Sequence, residues 1–403
     1  MAGEMRRLSF MLIAGETSGD FLAAELVDAL KKSTEVQALA FPPEFFGAGG
    51  TRMADAGVEL ALDLTRHSVI GLSEALKHYA QFKRIFDRLF QLAREREPDA
   101  IICVDFSGFN RRFAHAIKSF VRARRGTFVN WEPRIVQYVS PQVWASRPGR
   151  ALQLERDLDL LLSIFPFEKE WYARRAPKLR VEFVGHPILD RRGIDVSPGA
   201  RESARDEFMA NRAPQILLLP GSRVGELRRH VPVMIAAARS IAETEPTARF
   251  KMVLPTRELK RLADEPSARL PTLEIQIGDV AGALRQTDLA IASTGTVTLE
   301  CACFGVPTVA IYITSWSTYL IGRCIVQVKY LAMPNLLAGE EIFPEFIQHA
   351  ATADNIARAA LELLNHPERR KAVKSALAQT VRSLGEPGAS PRAARAILRL
   401  LRR

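Results

Sequence analysis

Short apolar runs alternate with amphipathic stretches along almost the whole chain. SFMLIAG (9–15), AIICVDF (100–106), RIVQYVS (134–140), LLLSIF (ending at Phe165) and VEFVGH (181–186) read as buried parallel strands. Helical patterns such as FLAAELVDALKK (21–32) lie between them. A second series follows: ILLLPGS (216–222), RFKMVLP (249–255), LEIQIGD (273–279), LAIAST (289–294) and TVAIYI (308–313). Strand–helix alternation predicts doubly wound α/β sheets, and two series predict two Rossmann-like domains. The break falls where PILDRRGIDVSPGARESARDEFMANRAP (187–214) is polar and rich in turn formers, with a hinge around Pro187–Pro198. The expected division is 1–190 for the first domain, 191–375 for the second, and 376–403 for a basic helical tail.

In that tail, Ala393, Ala396, Ile397, Leu400 and Leu401 share one helical face, and arginines occupy the rest. Such a helix either packs against a domain or partner or lies on a membrane; packing is the stronger expectation. A second amphipathic stretch, 68–95, carries Leu72, Leu76, Tyr79, Phe82 and Phe86 with Lys77, Lys83, Arg84 and Arg88 beside them. Core packing explains that stripe, and acyl chains or a bilayer interface suit its aromatic and basic character equally.

Length and composition narrow the field. The 403 residues exceed one ordinary core, and 47% hydrophobic with 25% charged residues is a globular balance. A formal charge of +11 points to phosphate-bearing partners or simply to arginine-rich helices. The basic residues are dispersed and form no recognised nucleic-acid module, so nucleic acid is not an expected partner. Four cysteines are too few for a disulfide scaffold, and Cys301-x-Cys303 reads as buried thiols rather than a metal site. The apolar run after Arg6-Arg7 is too short for a signal peptide, and no segment is long enough to span a bilayer. The chain therefore reads as cytoplasmic and at most peripheral to a membrane.

Ligands of open α/β sheets bind beyond the carboxyl ends of the strands, where the glycine-bearing loops of the runs above fall. LLLPGSRVGEL (217–227) runs a strand into Gly221-Ser222-Arg223 and then a helix. Glycine permits close backbone approach, helix amides favour an anion, and an arginine suits a diphosphate. Thr294-Gly295-Thr296 repeats the arrangement, with Glu300 one turn on as a ribose acceptor or a capping carboxylate. Asp105 ends a strand in VDFSGFNRR, as a general base or a loop cap. His186 in VGHP reads as structural. LIAGETSGD (12–20) matches neither a P-loop nor GxGxxG. Its Gly15 and Gly19 allow close approach, while Glu16, Ser18 and Asp20 suit sugar hydroxyls or the cap of a helix starting near Phe21.

AGETSGD, D-x-x-x-FN at 105–110, YVSPQVWA, FPFE, VGHP, LLPGSRxxE, GTxTLE and MPNLLAG occur in that order. The ordered set resembles the bacterial lipid-A-disaccharide synthases over nearly the whole chain. The resemblance implies a GT-B glycosyltransferase with two Rossmann-like domains facing across a cleft. It implies UDP-2,3-diacylglucosamine as donor, 2,3-diacylglucosamine 1-phosphate as acceptor, inversion to a β-1,6 disaccharide, and release of UDP. No metal or other cofactor is implied. Peripheral attachment to the cytoplasmic leaflet of the inner membrane and a homodimer are implied. In site terms, Asp105 becomes the base and Arg223 the diphosphate contact. Gly221, Ser222, Glu226, Thr294, Gly295, Thr296, Glu300, Asn335 and Gln348 fall on the donor side. Gly15, Glu16, Ser18, Gly19, Asp20, Asn110 and Ser140 fall on the acceptor side. Gly108 replaces a family aspartate, and Glu340 stands where a cation is expected. The nearest alternatives are another GT-B enzyme with a UDP-N-acetylglucosamine-type donor, such as an epimerase or a peptidoglycan-type transferase, and a non-catalytic membrane-associated binding protein.

Overall fold

The structure, a computed structural model, describes residues 7–38, 40–65, 75–126, 130–190, 212–267, 270 and 272–402. Two compact units divide the chain: Met1–Asp190 with Leu384–Arg403, and Arg191–Ser383.

The first unit holds a seven-stranded sheet in the order β3-β2-β1-β4-β5-β6-β7. Its strands are β1 Ser9–Ala14, β2 Glu44–Gly49, β3 Glu59–Asp63, β4 Ala100–Val104, β5 Arg134–Tyr138, β6 Leu160–Ser163 and β7 Val181–Phe183, all parallel. Helices on both faces bury β1 and β4 completely, which is why their sequences are unbroken apolar runs. β2 and β3 escape the apolar-run pattern. β2 is glycine-broken and its pairing with β3 shifts register at Gly47/Ala48, while β3 is a half-buried edge strand.

The second unit holds a six-stranded parallel sheet in the order β10-β9-β8-β11-β12-β13. Its strands are β8 Gln215–Leu219, β9 Arg249–Leu254, β10 Leu273–Ile277, β11 Leu289–Ser293, β12 Thr308–Tyr312 and β13 Glu345–Ile347. β13, three residues on the sheet edge, is likewise too short to stand out in the sequence. In each sheet the order reverses once, at β1/β4 and at β8/β11. Those reversals open a crevice beyond the strands' carboxyl ends.

A boundary at 375/376 would cut the helix Pro367–Ser383, which belongs whole to the second unit. The chain returns to the first unit at Leu384, and the helix Ala389–Leu401 packs there through Ala393, Ala396, Ile397 and Leu400. Each Ile or Leu so buried contributes about 1.5–3 kcal/mol. Polar contacts fix the helix: Ala389 N–H donates to Asp190 at 3.1 Å, Arg392 Nε to the Val184 carbonyl at 2.7 Å, and Arg399 pairs with Glu182 at 2.7 Å. Among the described residues, no helix is long and apolar enough to cross a membrane.

Candidate functional site

In the first unit the loops after β1 and β4 meet at the sheet's reversal point. Asp105 and Phe106 both take left-handed backbone conformations, with φ of 48° and 44°. Such conformations in non-glycine residues persist only where the surroundings enforce them. Here the enforcement is visible. Asp105 N–H donates to the Tyr138 carbonyl at 2.9 Å, and its own carbonyl accepts from Asn110 Nδ2 at 2.9 Å and Gln137 Nε2 at 3.1 Å. Aromatic rings support the same turn from below. Phe106 stacks on Phe109 at 5.4 Å, Phe109 on Phe113 at 6.2 Å, and Phe86 meets Phe109 and Phe113 edge-on. Gly15 lies against this stack, since a Cβ there would meet the Phe106 ring at 2.3 Å.

The Asp105 side chain is half-buried. Burial and then the Glu16 charge raise its pKa, against a smaller opposing contribution from a backbone N–H of Phe106. Glu16 and Ser18 are exposed beside it. A raised carboxyl flanked by hydrogen-bonding groups at a sheet's reversal point can accept a proton from a bound hydroxyl.

Four residues expected on the acceptor side belong to the scaffold instead. Asp20 is buried, and its carboxylate accepts from the N–H groups of Gly50 (2.7 Å), Arg52 (3.1 Å) and Met53 (3.1 Å). It caps the helix Thr51–Asp55, because the helix Thr17–Lys32 starts four residues earlier than expected and turns Asp20 inward. Asn110 is fully buried and stitches β1 and β4 to the Asp105 turn, with Nδ2 3.3 Å from the Ile13 carbonyl. Ser140 faces inward, its Oγ 3.1 Å from the Tyr172 hydroxyl. Gly19 packs the helix start against β4, with ordinary contact at the Val104 carbonyl. Of the apolar stripe, Leu72 and the side chains of Leu76 and Tyr79 lie outside the described residues. Phe82 is half-buried, and Phe86 packs against the core.

The second unit repeats the design at β8/β11. Gly221 has φ of 116°, and a Cβ there would meet Glu226 Oε2 at 2.3 Å. Glu226 accepts from Ser222 N–H at 3.0 Å and Arg223 N–H at 3.3 Å, capping the start of the helix Val224–Thr244. The Ser222 amide, on the loop expected to receive a diphosphate, is therefore held by this carboxylate, together with that of Arg223. The Arg223 side chain stays largely exposed, 3.6 Å from Glu226. Gly295 has φ of 120° with open space where a Cβ would stand, and its carbonyl accepts from Thr298 Oγ1 at 2.7 Å. Thr294 and Glu300 are half-buried, and Thr296 is exposed at the start of the helix Thr296–Cys303.

Asn335 and Gln348, expected to line the donor site, have their side-chain amides committed elsewhere. Asn335 is fully buried, donating to the Phe343 carbonyl and Glu345 and accepting from the N–H groups of Ile342 and Phe343, all within 2.7–2.9 Å. Gln348 exchanges hydrogen bonds with the Thr314 backbone in both directions, at 3.1 and 3.0 Å. Both organise loops at the sheet's carboxyl edge. Cys301 and Cys303 are buried and stand outside any disulfide.

Two organising residues carry little sequence signal. His230 is fully buried, with Nδ1 2.7 Å from the Pro220 carbonyl and Nε2 accepting from Ile313 N–H at 2.9 Å. That pattern fixes a neutral ring donating through Nδ1, and burial lowers its pKa. It ties the loop after β8 to the end of β12. Gln137 is a polar residue inside the apolar run RIVQYVS, and that interruption was its only clue.

Comparison with known proteins agrees with this geometry. The family profile described as Lipid-A-disaccharide synthetase matches residues 10–399. The chain is similar to the lipid-A-disaccharide synthases of Myxococcus xanthus, 35% identical over 97% of both chains, and of Anaeromyxobacter dehalogenans, 36% identical over 97% of both. Among solved structures it is similar to the UDP-GlcNAc 2-epimerase of Neisseria meningitidis bound to UDP-GlcNAc, with a TM-score of 0.60, 11% identity and coverage of 98% and 100%. That likeness concerns the fold alone. The two parallel-sheet units are those of the GT-B fold. By the match along its length and by its curated relatives, the chain belongs to the lipid-A-disaccharide synthase family.

Proposed function

We propose that this protein is a hexosyltransferase condensing UDP-2,3-diacylglucosamine with 2,3-diacylglucosamine 1-phosphate. The acceptor 6-hydroxyl attacks C1 of the donor sugar, its proton passes to Asp105, and the C1–O bond to the diphosphate breaks to release UDP. The product is the β-1,6-linked disaccharide 1-phosphate. The observation that carries this reading is the half-buried Asp105 beside Glu16, at a strained turn of a chain belonging to this family. A base of raised pKa is matched to removing a proton from a hydroxyl near neutral pH. The first unit is assigned the acceptor. The second is assigned the donor, with Arg223 offsetting charge on the departing diphosphate and Glu300 meeting the ribose.

Peripheral attachment to the cytoplasmic leaflet belongs to the same proposal. The charge of +11, the half-buried Phe82, and exposed Trp316, Leu320 and Ile321 beside Arg323 support it. A homodimer is carried over from the resemblance, and light scattering in solution reads it. Co-sedimentation with phosphatidylglycerol vesicles tests attachment, and a protein left wholly in the supernatant would remove it.

The decisive experiment incubates the protein with both acylated glucosamine substrates and measures UDP and disaccharide. Equal amounts of each are expected, with Arg223→Ala folded but inactive. UDP without disaccharide would point to another acceptor, and no UDP would overturn the assignment.

A further inference from the structure

Four arginines gather beyond the carboxyl ends of β4 and β5. Arg111 and Arg112 stand in the early turns of the helix Ser107–Arg124, which starts two residues after Asp105. Arg147 precedes the short turn Pro148–Arg150 and Arg150 ends it, on the connection between β5 and β6. Arg112 and Arg147 are exposed; Arg111 and Arg150 are half-buried.

The guanidiniums are near enough to disfavour one another's charge. Burial first, then Arg112 and Arg147, lower the pKa of Arg111; burial first, then Arg111, Arg147 and Arg112, lower that of Arg150. Asp157, whose charge acts on Arg111, is buried and already engaged by Arg156 at 2.9 Å and His115 at 3.1 Å. Among the described residues no ion pair is formed by any of the four, and Arg111 makes its side-chain hydrogen bond to neutral Gln153 at 2.9 Å. The contrast within the same unit is plain: Arg96 is paired with Glu44 and Glu59, Arg180 and Arg399 with Glu182. A concentration of like charge without counter-charge is unfavourable to the free protein and is relieved by an anion.

Its position says which anion. The helix carrying Arg111 and Arg112 starts two residues after Asp105, and Arg147 and Arg150 lie on the connection that leaves the neighbouring strand β5, so the cluster lies on the same carboxyl edge of the sheet as the base. A hexosamine whose 6-hydroxyl reaches Asp105 carries its anomeric substituent on the far side of the ring. We propose that Arg111, Arg112, Arg147 and Arg150 bind the monophosphate on the anomeric carbon of the acceptor. The inference rests on Asp105 being the base of the proposed transferase. Guanidinium forks match phosphate oxygens bidentately, and the exposure of Arg112 and Arg147 lets the ester enter from solvent. Phospholipid headgroups offer the same chemistry, so the test has to separate the two sources.

The test compares kcat/KM for 2,3-diacylglucosamine 1-phosphate with that for 2,3-diacylglucosamine lacking the phosphate, in the unmodified protein and in Arg147→Ala/Arg150→Ala. The ratio of the two should fall roughly 30-fold or more in the double variant, as loss of charge-assisted contacts requires. KM for the UDP-sugar should hold, and Arg147→Lys/Arg150→Lys should recover part of the ratio. A proportional loss on both acceptors, or no loss, would overturn the site. So would loss of binding to phosphatidylglycerol vesicles with the ratio unchanged, which would assign the cluster to lipid headgroups. Direct titration with the phosphorylated acceptor in detergent micelles completes the test. If the unmodified protein transfers to neither acceptor, the proposed function falls. The titration still decides the phosphate site, through weaker binding in the alanine variant or its absence.

Discussion

Asp105 and Glu16 follow the paired ends of β4 and β1 at the reversal point of the first sheet, and the charge on Glu16 adds to burial in raising the Asp105 pKa. One strand end supplies each group, so their proximity is fixed by the β1/β4 pairing, Ala14 against Val104. The pair bears directly on pH dependence. Activity needs Asp105 ionised, so the acidic limb of kcat/KM should lie above the ordinary aspartate range. Glu16→Gln removes the like charge and should move that limb to lower pH. Asp105→Asn should cost about 10²–10⁴-fold in kcat. A limb that stays put in Glu16→Gln would show that the two carboxyls do not interact in solution.

Gly15 should prove intolerant for a reason of space. Its added methyl in Gly15→Ala would press on the Phe106 ring, which the Phe109 stack holds from the other side. Displacing Phe106 moves Asp105, and small misplacements of a reacting group are expensive, so kcat should fall roughly 10–100-fold. KM for the UDP-sugar should change little. Phe106→Ala combined with Gly15→Ala should lose less than the two single losses added together.

Asp20→Ala would leave three backbone N–H groups without their acceptor where they are buried or nearly so. Destabilisation of about 3 kcal/mol is expected, read by urea unfolding. Asp20→Asn should recover part of it. At temperatures where the variant stays folded, acceptor KM should match the parent, because this carboxylate faces the fold. An acceptor-specific KM defect would return Asp20 to the binding site.

Glu168 is fully buried, accepting from Trp144 Nε1 at 2.9 Å and Phe165 N–H at 3.2 Å, and burial pushes its pKa to about 7 from an ordinary 4.5. The folded state thus holds a proton that the unfolded chain releases. Its contribution is complete below pH 4.5 and is lost as pH rises through about 7. The span corresponds to about 3 kcal/mol as an upper bound. Glu168→Gln should flatten the stability profile across that window. A profile equally steep in the variant would place the titrating group elsewhere.

Much of this protein was legible in its sequence. Strands buried on both faces carry apolar runs, unbroken in β1 and β4 and interrupted by Gln137 in β5, so these strands and β8, β11 and β12 announce themselves, and with them the two sheets. Gly15 marks the close approach of a ring, Gly221 and Gly295 mark backbone at positive φ, and the ordered motifs point to the family. Edge strands β3 and β13 stayed silent because half-burial and short length leave no pattern. What the sequence could not decide was the direction in which polar side chains point. Asp20, Asn110, Asn335 and Gln348 sit within or beside the motif loops, yet they satisfy buried backbone groups distant in the chain, such as Gly50 and Thr314. Asp105 and Glu16, 89 positions apart in sequence, become neighbours only through strand pairing. Local pattern records burial, because burial is a property of one segment. Partner choice depends on which segments the fold brings together, and only tertiary structure decides that.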